Sequence, residues 1–528
     1  MKHQILNKLR HYNWPNLVLI LLSGFVMSLP FLRIQLGWLS FVSLIPFLYY
    51  LVWLENKKTT SKKTIKYIWL TGMVFLAITL SWMFQLHVID LIADPWTRGI
   101  FLPFTLFLMV LFLSSGFVLF GFLYTKLKVS LNKTSSIVLI PAIWILGEYL
   151  RSILFSIATL GEGGTVGIHW NFGALGLGAC MTPLIYSSRV MGLFGLSFLV
   201  VVINIAIFQL ARRKYIVMTL ISLAFCAILS ILGYVIYQNI PTSSHKVGIV
   251  HIGPQEDTDY EMQILPKLDH EQKVDLVIMP EYSHIFDEER LVDVDRAMIA
   301  KMVQGPESRI ITTRSVVDGN RATNAIVELT PDNKELSKQG KTFLIPGGEY
   351  IPYLYKGILI ASGNTALITH HEGEKTVYQS KKPIEPLDIH GAKYGVLACS
   401  GIIAPEFYRD LVNKGAVVLV NSASLSTMGM GREFFDQAYQ MARFQAVANS
   451  RTLIQSARGK KSYIMNSNGF IELQNKTEDT DYLIGTISAN TSKTIYTLWG
   501  EWVVLISILG VSIYIIYGKG LFKKKNNL

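Results

Sequence analysis

The sequence predicts a polytopic α-helical membrane bundle of about eight helices, with one layered α/β domain inserted before the last of them. Three observations carry this expectation. Hydrophobic residues make up 51% of the 528 and charged residues only 16%, too apolar a balance for an ordinary soluble chain of this length. Basic residues alternate between successive loops. The stretch 238–498 interleaves strand-like and helix-like periodicity and carries most of the acidic residues.

Uninterrupted apolar runs cover 14–32, 34–54, 67–86, 100–124, 136–154, 190–210, 215–237 and 502–517. Most reach the ~20 residues a helix needs to cross a bilayer core. The last run is short and the first ends in Pro30. Lys2, Lys8 and Arg10 ahead of the first run also suit a signal peptide, but no small-x-small cleavage site follows, so it is read as a helix.

One set of loops holds Lys2, Lys8 and Arg10; Lys57, Lys58, Lys62, Lys63 and Lys66; Lys126, Lys128 and Lys133; Arg212, Arg213 and Lys214; and Lys519, Lys523, Lys524 and Lys525. The opposite set holds only Arg33, Arg98, Arg151 and Arg189. The excess of Lys and Arg marks the cytoplasmic side. Both termini are therefore expected there, and the inserted domain on the other side of a bacterial cytoplasmic membrane. The chain divides into membrane helices one to seven (1–237), the extracytoplasmic domain (238–498), and a last helix with a basic cytoplasmic tail (499–528). Within the first part, 155–189 is apolar but broken by Gly161, Gly163, Gly164, Gly167, Gly173, Gly176 and Gly178. It fits a re-entrant or interfacial element on the outer face, or equally an amphipathic loop.

The net charge of +12 does not point to nucleic acid. Between 242 and 498 there are 27 Lys and Arg against 31 Asp and Glu, a net of −4, which leaves +16 for the membrane part. The basicity belongs to the positive-inside pattern.

In the inserted domain, strands are expected at Val247–Ile252, Val274–Met279, Arg309–Val317, Ala325–Leu329, Ala366–Thr369, Tyr394–Ala398, Ala416–Val420, Leu453–Ser456 and Ser462–Met465. Helical spacing appears around 258–273, 289–303, 404–414 and 433–449. Interleaved strands and helices over this length make one layered α/β domain.

Three strand-end segments concentrate reactive side chains, and in layered α/β folds active sites gather at such carboxyl ends. Val277-Ile-Met-Pro280-Glu281 ends in a carboxylate. Lys341-Thr-Phe-Leu-Ile-Pro-Gly-Gly-Glu349 offers a lysine and a second carboxylate eight residues on. Val396-Leu-Ala-Cys399-Ser-Gly401 places a thiol at a strand-to-turn junction, with Pro405 suited to the first turn of a following helix. Of the three cysteines, Cys180 and Cys226 lie in apolar or membrane-proximal sequence and read as small buried hydrophobes. Cys399 is alone in the outer domain and has no disulfide partner there. A thiol attacks only as thiolate, so it needs a base or a cation nearby. Glu281 suits the base, Lys341 the stabiliser of thiolate and oxyanion, and Glu349 an orienting or proton-relaying group. Lys338 is the neighbouring alternative to Lys341. No metal or cofactor is called for.

These motifs resemble the apolipoprotein N-acyltransferases, the membrane-embedded branch of the nitrilase superfamily, over nearly the whole chain. The resemblance rests on Pro280-Glu281, the run from Lys341 through Gly348-Glu349-Tyr350-Ile351-Pro352, Cys399 with Pro405-Glu406, and Gln440-Met441-Ala442-Arg443. In the membrane part it rests on Trp144-Ile-Leu-Gly-Glu148-Tyr-Leu-Arg151, on Gly192 to Phe198 followed by Asn204, and on Thr494 to Trp502. It implies an α-β-β-α sandwich and a Glu-Lys-Cys triad matching Glu281, Lys341 and Cys399. It also implies transfer of an acyl chain from a phospholipid to the cysteine as a thioester, then to the α-amine of a diacylglyceryl-cysteine lipoprotein. Three places depart from the family pattern. Ser400-Gly401 stands where the family has an aromatic and an acid, Asn421-Ser-Ala-Ser-Leu425 replaces a Ser-Asn-Asp-aromatic stretch, and His251-Ile-Gly253 replaces Gln-Gly-Asn. A membrane-tethered amidase, a transferase with another amine acceptor, and a catalytically silent scaffold are the alternatives.

Overall fold

The structure is a computed structural model and describes residues 14–85, 95–237, 243–251, 274–281, 307–318, 321–363, 365, 368, 383–425, 431–476 and 481–525. Among these, seven helical spans are long and apolar enough to cross a membrane: Trp14–Leu32, Ile34–Asn56, Ser61–Gln85, Pro103–Lys126, Ser136–Ala158, Pro183–Ala211 and Ile216–Ile236. A shorter apolar helix, Trp502–Ile516, stands where the eighth run was expected. The second span opens as a 3₁₀ turn, Ile34–Phe41, before its α-helix.

The helices are α1 (Trp14–Leu32), α2 (Ile45–Asn56), α3 (Ser61–Thr79), α4 (Pro95–Leu113), α5 (Ser115–Lys126), α6 (Ser136–Ala158), α7 (Ser188–Ala211) and α8 (Ile216–Ile236). Three arginines expected in loops lie in helices, Arg98 within α4. Arg151 is buried within α6, one turn beyond Glu148, and Arg189 is fully buried in the first turn of α7.

The inserted part is a two-sheet sandwich. The first sheet runs β12-β1-β2-β3-β4-β5 and the second β11-β10-β9-β8-β7-β6. Its strands are β1 (Ser243–His251), β2 (Leu276–Ile278), β3 (Arg309–Asp318), β4 (Arg321–Leu329), β5 (Glu335–Gly340), β6 (Leu387–Ile389), β7 (Ala392–Ala398), β8 (Val418–Ser424), β9 (Thr452–Arg458), β10 (Tyr463–Met465), β11 (Ile471–Gln474) and β12 (Asp481–Ala489). Each sheet has a parallel centre, β1-β2-β3 and β7-β8-β9, with antiparallel flanks. The inner faces share one core of Val247, Ile249, Ile278 and Ile311 against Val396, Val418, Val420 and Ile454. Two serines stitch the sheets together: Ser422 Oγ donates to Met279 O (2.9 Å), and Ser456 Oγ to Ile278 O (3.1 Å).

Further helices are α9 (Tyr353–Ala361), α10 (Pro405–Asn413), α11 (Arg432–Ala448), α12 (Ile495–Trp499) and α13 (Trp502–Lys525). The outer face of the second sheet packs on α10 and α11, and these continue without a break into the core of the membrane helices. The expected helices 258–273 and 289–303, and the strand Ala366–Thr369, lie outside the described residues apart from Ile368.

The two parts are joined by hydrogen bonds that satisfy orphan helix ends. The last carbonyls of a helix have no intrahelical donor. Gln437 Nε2 donates to Thr79 O (2.8 Å) and Phe31 O (3.3 Å), and Gln440 Nε2 to Pro30 O (2.8 Å), so α11 closes the ends of α1 and α3. Asp436 Oδ2 accepts from Ile34 N (3.2 Å). Arg189 donates to Val447 O, Gly233 O and Ser467 O and to Asn468 Oδ1, at 2.6–3.1 Å. Glu501 accepts from Leu193 N (2.9 Å) and Phe194 N (3.0 Å), where Gly192 (φ 72°) interrupts α7. Each such bond contributes about 1 kcal/mol net. Their larger effect is to fix how the sandwich sits on the bundle.

Candidate active site

The three predicted strand-end segments converge. Cys399 directly follows β7 and begins a 3₁₀ turn, Cys399–Ile403, that leads into α10 with Pro405 in its first turn. Its φ of 38° lies in the left-handed region, a costly conformation for a residue with a Cβ. Cys399 is partly exposed, and its Sγ is 3.5 Å from Ser424 O.

Glu281 lies three residues past the end of β2 and is 1% exposed. Lys341 follows β5 directly, is 4% exposed, and donates its backbone N–H to Asn324 O (2.7 Å). Its Nζ donates to Glu281 Oε1 (2.9 Å) and to Glu349 Oε1 (2.8 Å). The other Glu349 oxygen accepts from Ile345 N (2.8 Å), which closes the 341–349 loop on itself. Lys338, the alternative lysine, lies on β5, is exposed and pairs loosely with Glu335 at 3.9 Å.

One buried ammonium between two carboxylates leaves a net negative centre next to the thiol. Burial raises the Glu281 carboxyl above its usual range; Lys341 pulls it down and the Glu349 charge pushes it up. Burial, and then the Glu281 charge, pushes the Cys399 thiol up to about 12, against the pull of Lys341. The Cys399 thiol therefore rests neutral, within hydrogen-bond reach of Glu281. A thiol in this state can attack only if a base takes its proton as it does so, which is general-base chemistry rather than that of a standing thiolate. Among the described residues no group of three or more His, Cys, Asp or Glu is placed to hold a metal ion.

Two departures from the family pattern have structural partners here. Ser400 is buried and its Oγ donates to Phe343 O (2.6 Å), tying the nucleophile turn to the lysine loop. A Cβ built on Gly401 would lie 2.5 Å from Leu397 Cβ, so a side chain there requires the turn to move. In the Asn421–Leu425 stretch Ser422 belongs to the inter-sheet stitch, while the buried Asn421 Oδ1 has no partner among the described residues.

Sequence reasoning missed the wall formed by the glycine-rich segment. Tyr350 Oη donates to Thr159 O (2.8 Å), and Tyr353 N to Leu160 O (2.7 Å). A Cβ on Gly161 would sit 2.7 Å from the Tyr350 ring, and one on Gly163 2.6 Å from Leu344 Cδ1. Bare backbone is what lets this segment lie against the 344–350 loop. Further along, Glu406 accepts from Ile168 N (3.1 Å) and pairs with His169 Nδ1 (2.9 Å). The only signal for that contact was a single histidine in an apolar run.

Residues 23–206 match the profile of the apolipoprotein N-acyltransferase N-terminal domain, and residues 246–496 that of the carbon-nitrogen hydrolases. Proteins named apolipoprotein N-acyltransferase are similar over most of their length. That of Rickettsia prowazekii (strain Madrid E) is 23% identical over 87% of this chain and 90% of its own. That of Coxiella burnetii (strain RSA 493 / Nine Mile phase I) is 24% identical over 93% and 97%. Among solved structures, the carbon-nitrogen hydrolase from Helicobacter pylori G27 aligns with 46% of this chain and 89% of its own, at 16% identity and a TM-score of 0.34. Membrane helices matching the one profile and a two-sheet domain matching the other, in one chain and in this order, make it a member of the apolipoprotein N-acyltransferase family within the carbon-nitrogen hydrolase superfamily.

Proposed function

We propose that this enzyme moves an acyl chain from a phospholipid to Cys399 and from there to the α-amine of a diacylglyceryl-cysteine lipoprotein. The observation that carries the reading is the buried Lys341 ammonium, 2.9 Å from Glu281 and 2.8 Å from Glu349, close enough to Cys399 for its charge to act on the thiol. In the first step Cys399 Sγ attacks the ester carbonyl while Glu281 accepts the thiol proton. Lys341 stabilises the oxyanion. Collapse breaks the ester C–O bond, and Glu281 returns the proton to the departing lysophospholipid oxygen. In the second step the lipoprotein amine attacks the thioester and gives a proton to Glu281. The C–S bond breaks, and the thiol is re-formed with that proton. Glu349 holds Lys341 in place throughout.

Family membership and the membrane spans support this reading, because a lipid donor and a lipid-anchored acceptor both reach an active site seated on the bundle. The charge alternation favours cytoplasmic termini and an extracytoplasmic catalytic part at 238–498, between helices 1–237 and 499–528. Cysteines introduced near Asn527 and near Asp479 are expected to label from opposite sides of the membrane. Labelling from one side would remove the eight-crossing arrangement.

The acceptor is tested by giving the purified enzyme phospholipid and a diacylglyceryl peptide with a free amino terminus. N-acylated peptide with matching lysophospholipid is the expected product. Free fatty acid without acylated peptide would instead make it a lipid hydrolase.

A further inference from the structure

We propose that His169, held by Glu406, is a positioning residue for acyl transfer: it grips Phe343 and so sets the Lys341–Glu349 loop against the nucleophile turn. This rests on the acyl-transfer reading of the site and adds a role for the glycine-rich segment between α6 and α7.

His169 is 1% exposed. Its ring meets Phe343 edge-on at a centroid distance of 4.5 Å, the shortest of the contacts around that phenyl group. Trp170 (5.5 Å) and Phe407 (6.0 Å) complete the enclosure of Phe343. Phe343 lies two residues after Lys341 and two before Ile345, whose N–H holds Glu349. Its carbonyl takes the Ser400 hydroxyl at 2.6 Å. Its side chain is thus fixed by the membrane segment and its backbone by the nucleophile turn.

Glu406 belongs to the first turn of α10, the helix that the Cys399 turn feeds. Its Oε1 accepts from Ile168 N and from His169 Nδ1, so Nδ1 carries the proton and the ring orientation is set. Gly167 makes this possible, since a Cβ there would lie 2.6 Å from Glu406 Oε1 and 2.7 Å from His169 Nδ1. The arrangement closes a loop from the Cys399 turn through Glu406, His169 and Phe343 back to Ser400, with Lys341 on the gripped segment.

The test compares His169→Ala, His169→Phe and Glu406→Ala in the full-length protein in detergent, with thermal unfolding followed in parallel. The first readout is the rate of hydroxylamine-labile acylation of Cys399 from phospholipid. His169→Ala is expected to slow it by about tenfold to a hundredfold, the usual effect of a small displacement of a catalytic group. The loss should fall on the rate constant rather than on the lipid concentration for half-saturation. His169→Phe keeps a ring against Phe343 and recovers most of the rate.

The second readout needs no lipid. Lys341 is the positive charge that lowers the Cys399 thiol, so displacing it should move the pH profile of iodoacetamide alkylation at Cys399 upward. Glu406→Ala should give the same shift without touching the ring, and it carries the test if His169→Ala does not fold. Wild-type acylation rate and alkylation profile in folded variants would overturn the proposal. Absence of acylation in the unaltered enzyme would count against acyl transfer, and the alkylation profiles would still decide the positioning role.

Discussion

Cys399→Ala is expected to abolish acyl transfer, and Glu281→Gln and Lys341→Met to reduce it by at least about 10²–10³, the usual loss when an oxyanion donor is removed. The three variants fail for different reasons. Without Cys399 there is no atom to carry the acyl group. Glutamine at 281 cannot accept a proton, and with the thiol held up to about 12 almost no thiolate exists near neutral pH to act without a base. Methionine at 341 removes the charge that faces the oxyanion and also leaves Glu281 and Glu349 buried together without their shared ammonium. One of them must then take up a proton, and breaking a buried ion pair costs about 3–5 kcal/mol. Lys341→Met should therefore also melt earlier, whereas Cys399→Ala should not. Combining any two variants should cost little more than one, because the groups act as a unit. Near-normal activity in Lys341→Met would remove the assigned role of that lysine.

Glu349→Gln is expected to reduce turnover and to shift its acidic limb to lower pH. The sign follows from charge. Turnover requires Glu281 as carboxylate, so rate falls as pH drops through its pKa, which burial and the Glu349 charge raise and Lys341 lowers. Deleting the Glu349 charge removes one of the raising influences, and the limb moves down. The loss of rate arises because a neutral amide grips the Lys341 ammonium less firmly than a carboxylate 2.8 Å away. A profile of kcat/KM against pH for both proteins checks this. A limb that stays in place or moves upward would show that Glu349 does not act on Glu281 electrostatically.

The membrane bundle was legible because length and hydropathy are properties of contiguous sequence, and each of the eight apolar runs has a helical counterpart. The inner strands were legible for the same reason. The four strands that escaped notice, β5, β6, β11 and β12, are the four edges of the two sheets. Edge strands are short or partly solvated and lack a buried apolar run, as Glu335-Leu-Ser-Lys-Gln-Gly340 shows. Glu281, Lys341, Glu349 and Cys399 stood out because each sits at or near a strand end in recognisable local sequence. Glu406 and His169 meet across 237 residues, and no local pattern in either segment announces the other. Arg189 appeared to be a loop residue because its four acceptors come from segments far apart in the chain. Ser400 and Gly401 read as losses of bulk and charge. Their partners, the Phe343 carbonyl and the Leu397 side chain, appear only when the turn is folded.

The most direct measurement is the intact mass of the purified enzyme after incubation with a phospholipid of one defined acyl chain. The account predicts a hydroxylamine-labile increment of that acyl group, mapped to Cys399 and absent from Cys399→Ala. An unchanged mass in a preparation whose Cys399 is readily alkylated by iodoacetamide would contradict it.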